Sequence, residues 1–332
     1  MEQNFENWED IPSFPDAEAE LKQIKRRLNK QNLKTILISL VSAAVLVLVG
    51  LYGILPAVEK CYPTPYGDHL REMLIAYYEL TNPGKTISIS YGKTGFAAYD
   101  LFLTRKDTTS GEKDILHGTL TRGTLELDIP FYDRELAEVY LWSGFDHPDD
   151  VWEHFREDTV TKLQELPEYI TVEAVVLFPE DLTMSQVMEL DYKYGLHRVN
   201  VNLHWLAVRC CDKDAENPLP TFGFSMSPNG SLDLNEHYPD LCSYNTKIDG
   251  SHMAQHFKSL LQFSMDQVEK GLGIISRRGD ESLYQTALTY VEENGVNTYG
   301  GLATGTPSGL LKLLEDGIIE NLILTDAWID VN

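Results

Sequence analysis

Residues 35–58 read TILISLVSAAVLVLVGLYGILPAV, and this stretch decides how the rest of the chain is organised. Its 24 residues carry no charge, and as a helix they would extend roughly 36 Å at about 1.5 Å per residue. The hydrocarbon core of a bilayer requires about 20 apolar residues, so the stretch is long enough to cross it with some tilt. The sequence therefore predicts one transmembrane helix.

Two other kinds of segment fit this stretch less well. A buried core helix would carry a polar stripe, and here no stripe is wider than Ser39 and Ser42. A cleaved signal peptide has an apolar region of about 7–15 residues before a cleavage site made of small residues. This run is longer and closes on Pro56, Glu59 and Lys60. We therefore favour a membrane anchor.

Basic residues are distributed unevenly around the predicted span. Only Lys60 and the more distant Arg71 follow it, whereas six basic residues precede it: Lys22, Lys25, Arg26, Arg27, Lys30 and Lys34. Basic residues close to a span are retained on the cytoplasmic side. The sequence thus predicts a cytoplasmic tail (1–34), a single-pass helix (35–58) in the cell membrane and an extracytoplasmic C-terminal part.

Nearly all of the net charge of −24 belongs to the predicted external part, which carries −23. Such a surface repels nucleic acids and anionic lipid head groups, so we expect no direct nucleic-acid binding. It suits divalent cations or basic peptides, and it is equally typical of a solubilising surface with no partner.

The tail is too short to form a core of its own, but its apolar residues recur regularly. They recur every three residues from Phe5 to Phe14, among several acidic residues, and from Ala17 onward they follow helical spacing, after an Asp16 suited to capping a helix. One interpretation is a peptide that binds a partner through these side chains; the other is a tail that only sets topology. The predicted partner-binding residues are Phe5, Trp8, Ile11, Phe14, Leu21, Ile24 and Leu28.

The external part is predicted to be α+β, with a β-rich region over 59–150 and a second α+β region over 151–332. In the first region we expect a helix over 68–80, a hairpin turn over 107–113 and strands over 86–91, 97–104, 124–130 and 138–145. A helix over 149–163 would connect it to the second region.

The second region contains a repeated strand–helix–strand pattern. One unit is expected over 169–178, 183–190 and 199–210, and the other over 298–304, a helix with Pro307 at its first position, and 322–331. Two such units suggest a ferredoxin-like sandwich. A strand over 221–227 and helices over about 251–270 and 281–294 would lie between them.

No pattern for an enzyme emerges from the chain. There is no GxSxG elbow and no phosphate-binding P-loop. His252 and His256 have the spacing of two metal ligands in HMAQH, but the glutamate of a metalloprotease is replaced by Met253. His204 lies inside an apolar strand beside Trp205, and this setting is more typical of a core or surface histidine with its hydrogen bonds satisfied than of a metal ligand. We therefore predict no catalytic residue, no cofactor and no metal site.

The four cysteines, Cys61, Cys210, Cys211 and Cys242, all follow the predicted span, on the side where disulfides are permitted. Four cysteines allow three complete pairings, and the sequence does not choose among them. If a disulfide forms, we expect Cys242 to pair with Cys210 or Cys211, because adjacent cysteines rarely bond to each other.

The order of several motifs resembles a known family. The run KRRLNKQNLK before the span and REMLIAYYELTNPGKTISISYGKTGFAAYDLFLTRK after it are similar to a sigma-factor-regulator N-terminal domain. LPEYITVEAVVLFPEDLTMSQVMEL, VNLHWLAV, TFGFSMS, NTYGGLATGTPSGLLKLLEDG and LTDAWIDV resemble the matching C-terminal domain. The resemblance implies a membrane-bound anti-sigma factor of a Gram-positive bacterium, similar to the anti-sigma-M proteins. Such a protein holds an extracytoplasmic-function sigma factor at the membrane until an envelope signal releases it.

One departure from this family bears on the partner. Many anti-sigma factors carry a zinc-binding helical domain in the cytoplasm, but residues 1–34 contain neither Cys nor His. Contact with a sigma factor would have to come from the short tail, alone or with a second membrane subunit. The alternative function is an external binding or cell-envelope-associated module with no sigma partner.

Overall fold

The computed structural model describes residues 15–62, 70–107, 110–122, 124–128, 149–194, 200–213, 215, 219–226, 234, 236–241, 249–269 and 280–329. The chain divides into two compact units, Met1–Tyr62 and Pro63–Asn332, and each is described by itself. The strand predicted over 138–145 lies outside the described residues, and the predicted boundary near residue 150 stays a prediction.

The N-terminal unit consists of helix α1 (Pro15–Val49), a π-helical turn (Gly50–Ile54) and helix α2 (Leu55–Glu59). Within Lys22–Glu59, which spans 38 residues, the structure has a helix long and apolar enough to cross a membrane, and none of its most apolar window is buried. The π-helical turn lies directly before Pro56, whose nitrogen has no hydrogen to donate to a carbonyl four residues earlier.

The predicted cap of the tail helix is wrong by two residues. Helix α1 already begins at Pro15, so Asp16 lies inside its first turn and does not precede the helix. Proline is favoured at the first helical position because its fixed φ suits the helix and its missing N–H would have no partner there.

The second unit begins with helix α3 (Leu70–Thr81) and an antiparallel four-stranded sheet in the order β1-β2-β3-β4. The strands are β1 (Lys85–Gly95), β2 (Ala98–Asp107), β3 (Lys113–Thr121) and β4 (Thr124–Asp128). The turn predicted over 107–113 joins β2 to β3. Strand β3 was not predicted from the sequence.

A five-stranded antiparallel sheet follows, in the order β7-β6-β8-β5-β9. Its strands are β5 (Ile170–Thr183), β6 (Val201–Val208), β7 (Phe222–Ser225), β8 (Asn297–Gly305) and β9 (Asn321–Ile329). The helices are α4 (Asp149–Glu165), α5 (Met184–Tyr194), α6 (Gly250–Glu269), α7 (Asp280–Asn294) and α8 (Pro307–Glu315).

The predicted ferredoxin-like arrangement is confirmed. Each strand–helix–strand unit is split by a strand of the other unit: β8 lies between β5 and β6, and β5 lies between β8 and β9. Strand β7 extends the sheet at one edge. Thr183 and Gln186 form a reciprocal capping box at the start of α5, and Thr306 caps α8.

Buried residues of α3 and of both sheets form one continuous apolar cluster, which includes Leu74, Leu101, Leu206 and Phe257. The second unit therefore has a shared core.

Two glycines in β8 allow the neighbouring strands to approach closely. A Cβ on Gly300 would lie 2.4 Å from the carbonyl oxygen of Val176, and a Cβ on Gly301 would lie 2.3 Å from that of Trp205. These glycines lie inside the strand predicted over 298–304, which is the central strand of the five-stranded sheet.

We expect Gly301→Ala to lower the free energy of unfolding by about 2–3 kcal/mol, because the added methyl group would push apart two hydrogen-bonded strands. Chemical denaturation of the full chain in detergent measures this change. Gly92→Ala in β1 is the matched control, since a Cβ there meets no atom within 4 Å. Equal stability of the two variants would contradict the packing argument.

Candidate functional site

The predicted partner-binding residues fall into two groups. Phe5, Trp8, Ile11 and Phe14 lie outside the described residues, and Leu21 lies within α1 although its side chain is not described. Ile24 and Leu28 are 53% and 51% exposed. Because they are four residues apart on a helix, they share one side of it. Two of the predicted tail residues thus present apolar surface to solvent.

A second site, not predicted from the sequence, lies where α3 meets the five-stranded sheet. The carboxylate of Glu79 is 9% exposed, and its Oε1 lies 3.0 Å from His256 Nε2 in α6. The same oxygen accepts a hydrogen bond of 3.1 Å from the backbone N–H of Ser225 in the edge strand β7. The backbone carbonyl of Glu79 accepts a 2.7 Å bond from Trp205 Nε1 in β6. We call these contacts the Glu79 junction.

The geometry determines where protons lie on His256. Its Nδ1 is 2.7 Å from the carbonyl oxygen of Asp240, which can only accept, so Nδ1 carries a hydrogen. Nε2 faces Oε1 of Glu79, an oxygen that already accepts from Ser225. One hydrogen lies between Nε2 and Oε1, so the two buried side chains are joined by a hydrogen bond.

Trp205 reaches Glu79 by lying across β7, and Gly223 makes this possible. A Cβ on Gly223 would lie 2.1 Å from Cζ2 of Trp205. The bond from Trp205 also satisfies one of the carbonyls left over at the C-terminal end of α3.

The sequence contains one signal that could have indicated the Glu79 junction. Glu79 is the only charged residue between Met73 and Leu80, in the run MLIAYYEL. A single acid in such an apolar run needs a buried partner. Its partner is 177 residues away, so local spacing could not supply it.

The two histidines of HMAQH have separate partners. His252 Nδ1 lies 2.9 Å from Asp249 Oδ1, while His256 belongs to the Glu79 junction. Hydrogen bonds from Ser251 and His252 lower the pKa of Asp249. Among the described residues, no group of three or more His, Cys, Asp or Glu side chains could hold a metal ion.

Asp181 makes a two-bond ion pair with Arg209, with N–O distances of 2.5 and 2.7 Å. Arg209 also stacks 4.6 Å from the ring centre of Tyr299. Cys210 and Cys211 follow it as free thiols, and burial raises the pKa of Cys210. Cys242 lies outside the described residues.

Comparison with known proteins finds a similarity in the C-terminal half. Residues 163–325 match the model of the sigma factor regulator C-terminal family. The chain is also 25% identical over 193 residues to the probable anti-sigma-M factor YhdL of Bacillus subtilis strain 168, a match that covers 58% of this chain. The chain spans about half the length of this relative, 49%. No solved structure gave a significant match. The matched region contains β6, β7 and α6, whereas Glu79 precedes it.

His204 is held 2.6 Å from Thr304 Oγ1, and burial lowers its pKa. The unfolded chain therefore binds a proton more readily than the folded chain, so this group stabilises the fold fully above about pH 6.5 and progressively less as pH falls.

We expect His204→Gln to reduce the loss of thermal stability between about pH 7.5 and 5.5. The control is His237→Gln, at an exposed turn position; an unchanged pH dependence in both variants would contradict the prediction.

Proposed function

We propose that this protein is a single-pass membrane anti-sigma factor of a Gram-positive bacterium. It sequesters an extracytoplasmic-function sigma factor through residues 1–34 and senses an envelope signal through its extracytoplasmic part. The observation that carries this proposal is the match of residues 163–325 to the sigma factor regulator C-terminal family. The relative whose printed name is a probable anti-sigma-M factor supports the same function.

The architecture supports the membrane location. One helix within Lys22–Glu59 is long and apolar enough to cross a bilayer, and six basic residues precede its apolar part. In this orientation the tail is the only part of the chain that faces the cytoplasm. A sigma factor would therefore be bound there, with or without a second membrane subunit.

Tail residues have the chemistry that such binding requires. Ile24 and Leu28 expose about half of their surface on α1. Burial of a large apolar side chain against a partner contributes roughly 1.5–3 kcal/mol before ordering costs. The aromatic residues Phe5, Trp8 and Phe14 would add anchors of the kind that dominate interfaces.

We expect Trp8→Ala combined with Leu21→Ala to weaken sigma binding by about 2–4 kcal/mol, roughly thirty- to several-hundred-fold. The span and its basic flank are unchanged, so membrane insertion should be normal. A reporter driven by the sigma factor should become constitutively active while immunoblots show unchanged protein in membranes.

Gln3→Ala combined with Gln23→Ala is the matched control, because it shortens two side chains of the same tail without removing charge or apolar surface. This control should repress as the parent does. If the Trp8 and Leu21 variant also represses fully, the tail only sets topology, and the alternative of an external module without a sigma partner is favoured.

The orientation of the proposed membrane helix can be tested separately. A protease added to intact protoplasts should digest the part after residue 58 and spare residues 1–34, because only the former would be outside. Antibodies against each end read the result, and protoplasts lysed with detergent show that both ends are cleavable. Protection of the C-terminal part in intact protoplasts would reverse the proposed topology.

A further inference from the structure

The Glu79 junction joins helix α3, which follows the proposed membrane helix along the chain, to the region 163–325 that matches the sigma factor regulator C-terminal family. Helix α3 is the first described element after the N-terminal unit, and residues 63–69 separate the two in sequence. The residues that hold Glu79 are Trp205, Ser225 and His256, and all three lie within the matched region 163–325. The junction is thus where that region contacts the described element that follows the proposed membrane helix along the chain.

We propose that the Glu79–His256 pair is a latch: while closed it holds α3 on the C-terminal domain, and its opening carries an external signal toward the membrane helix. This inference rests on the proposed function for its cellular consequence. The opening of the latch is a property of the external part and can be measured without a sigma factor.

The chemistry of the pair distinguishes it from ordinary packing. Apolar groups of similar volume would hold α3 equally well or better, since a buried ion pair is compensated only while its geometry is intact. His256 is fully buried, and its ring also lies edge-on to Phe224, with ring centres 5.7 Å apart. A small displacement of α3 would break the hydrogen bond between two buried ionisable side chains. The contact is therefore expected to be either closed or open, because intermediate positions of α3 would be unstable.

The latch is within reach of solvent. A cavity of about 300 Å³, counting space open to solvent, is lined by Ile75, Tyr78, Glu79, Lys85, Thr86, Ile87 and Ser225. Glu79 Oε2 receives no hydrogen bond from the residues that the structure describes, whereas Oε1 accepts two. The ammonium group of Lys85 is paired with Asp107 at the same cavity. Water and small solutes can thus reach the carboxylate when α3 shifts.

The first test measures amide hydrogen exchange of the full chain in detergent. In His256→Ala, peptides from α3 should exchange at least tenfold faster than in the parent, while peptides from β8 keep the parental rate. His252→Ala is the matched control, since it removes a histidine of the same helix whose partner is Asp249. Glu79→Gln keeps an acceptor for Ser225 and removes the charge, so α3 should exchange about threefold faster in a variant that remains folded.

The second test separates a latch from a structural contact. Glu79→Met combined with His256→Leu replaces the charged pair by apolar groups, and α3 in this double variant should exchange at the parental rate or slower. In cells, His256→Ala should raise the sigma reporter several-fold without stress. The double variant should keep the reporter low even when a cell-wall synthesis inhibitor induces the parent.

Uniform acceleration of exchange across β8 and α3 in His256→Ala, or no acceleration in α3, would overturn the latch. So would a double variant that responds to the inhibitor as the parent does. The Trp8 and Leu21 tail variant is measured in the same reporter strain. If it raises the reporter and His256→Ala does not, the latch fails; if neither raises it, the proposed sigma contact fails, and exchange alone decides whether the latch opens.

Discussion

A buried carboxylate imposes the strongest constraint on the second unit. Removing Glu79 from water costs several kcal/mol unless hydrogen bonds and an opposite charge compensate it. That compensation comes from two separate elements, since β7 and α6 each place a polar group on Oε1 of Glu79, and β6 supplies a third hydrogen bond to the backbone carbonyl of the same residue. None of these contacts is local in sequence. The C-terminal turn of helix α3 is therefore buried against β6, β7 and α6, and residues of α3 and of both sheets belong to one apolar cluster.

The elements of the fold were largely readable from periodicity and turn chemistry. The strand–helix–strand units stand out because β5 and β8 are nearly continuous apolar or small runs, with a capping box before α5 and Pro307 at the start of α8. Strand β3 was missed because the exposed Ile115 stands next to Leu116 and breaks the alternation, and because Gly118 offers no side chain between the buried Leu116 and Leu120. The π-helical turn at Gly50–Ile54 was missed because no apolar period marks it.

The site was much less readable than the fold. The two histidines of HMAQH have the spacing of a local pair of metal ligands, yet each one bonds to a different element. Pairing across 177 residues depends on sheet order, which local spacing does not encode. The same limit applies to Arg209 and Asp181, which meet only because β6 and β5 lie on either side of β8. The tail residues were readable as apolar, but the sequence could not say how they are oriented on α1.

Helix α1 has a mechanical consequence. It runs unbroken from Pro15 to Val49, 35 residues or about 52 Å, and so continues from the basic tail into the apolar span without a hinge. Ile24 and Leu28 therefore have a fixed angular phase relative to the side chains of the span. A rotation of the span by one residue's angle, about 100°, would turn their apolar surface by the same angle. Rotation of the helix about its own axis would thus redirect the apolar surface of the tail without any cleavage of the chain.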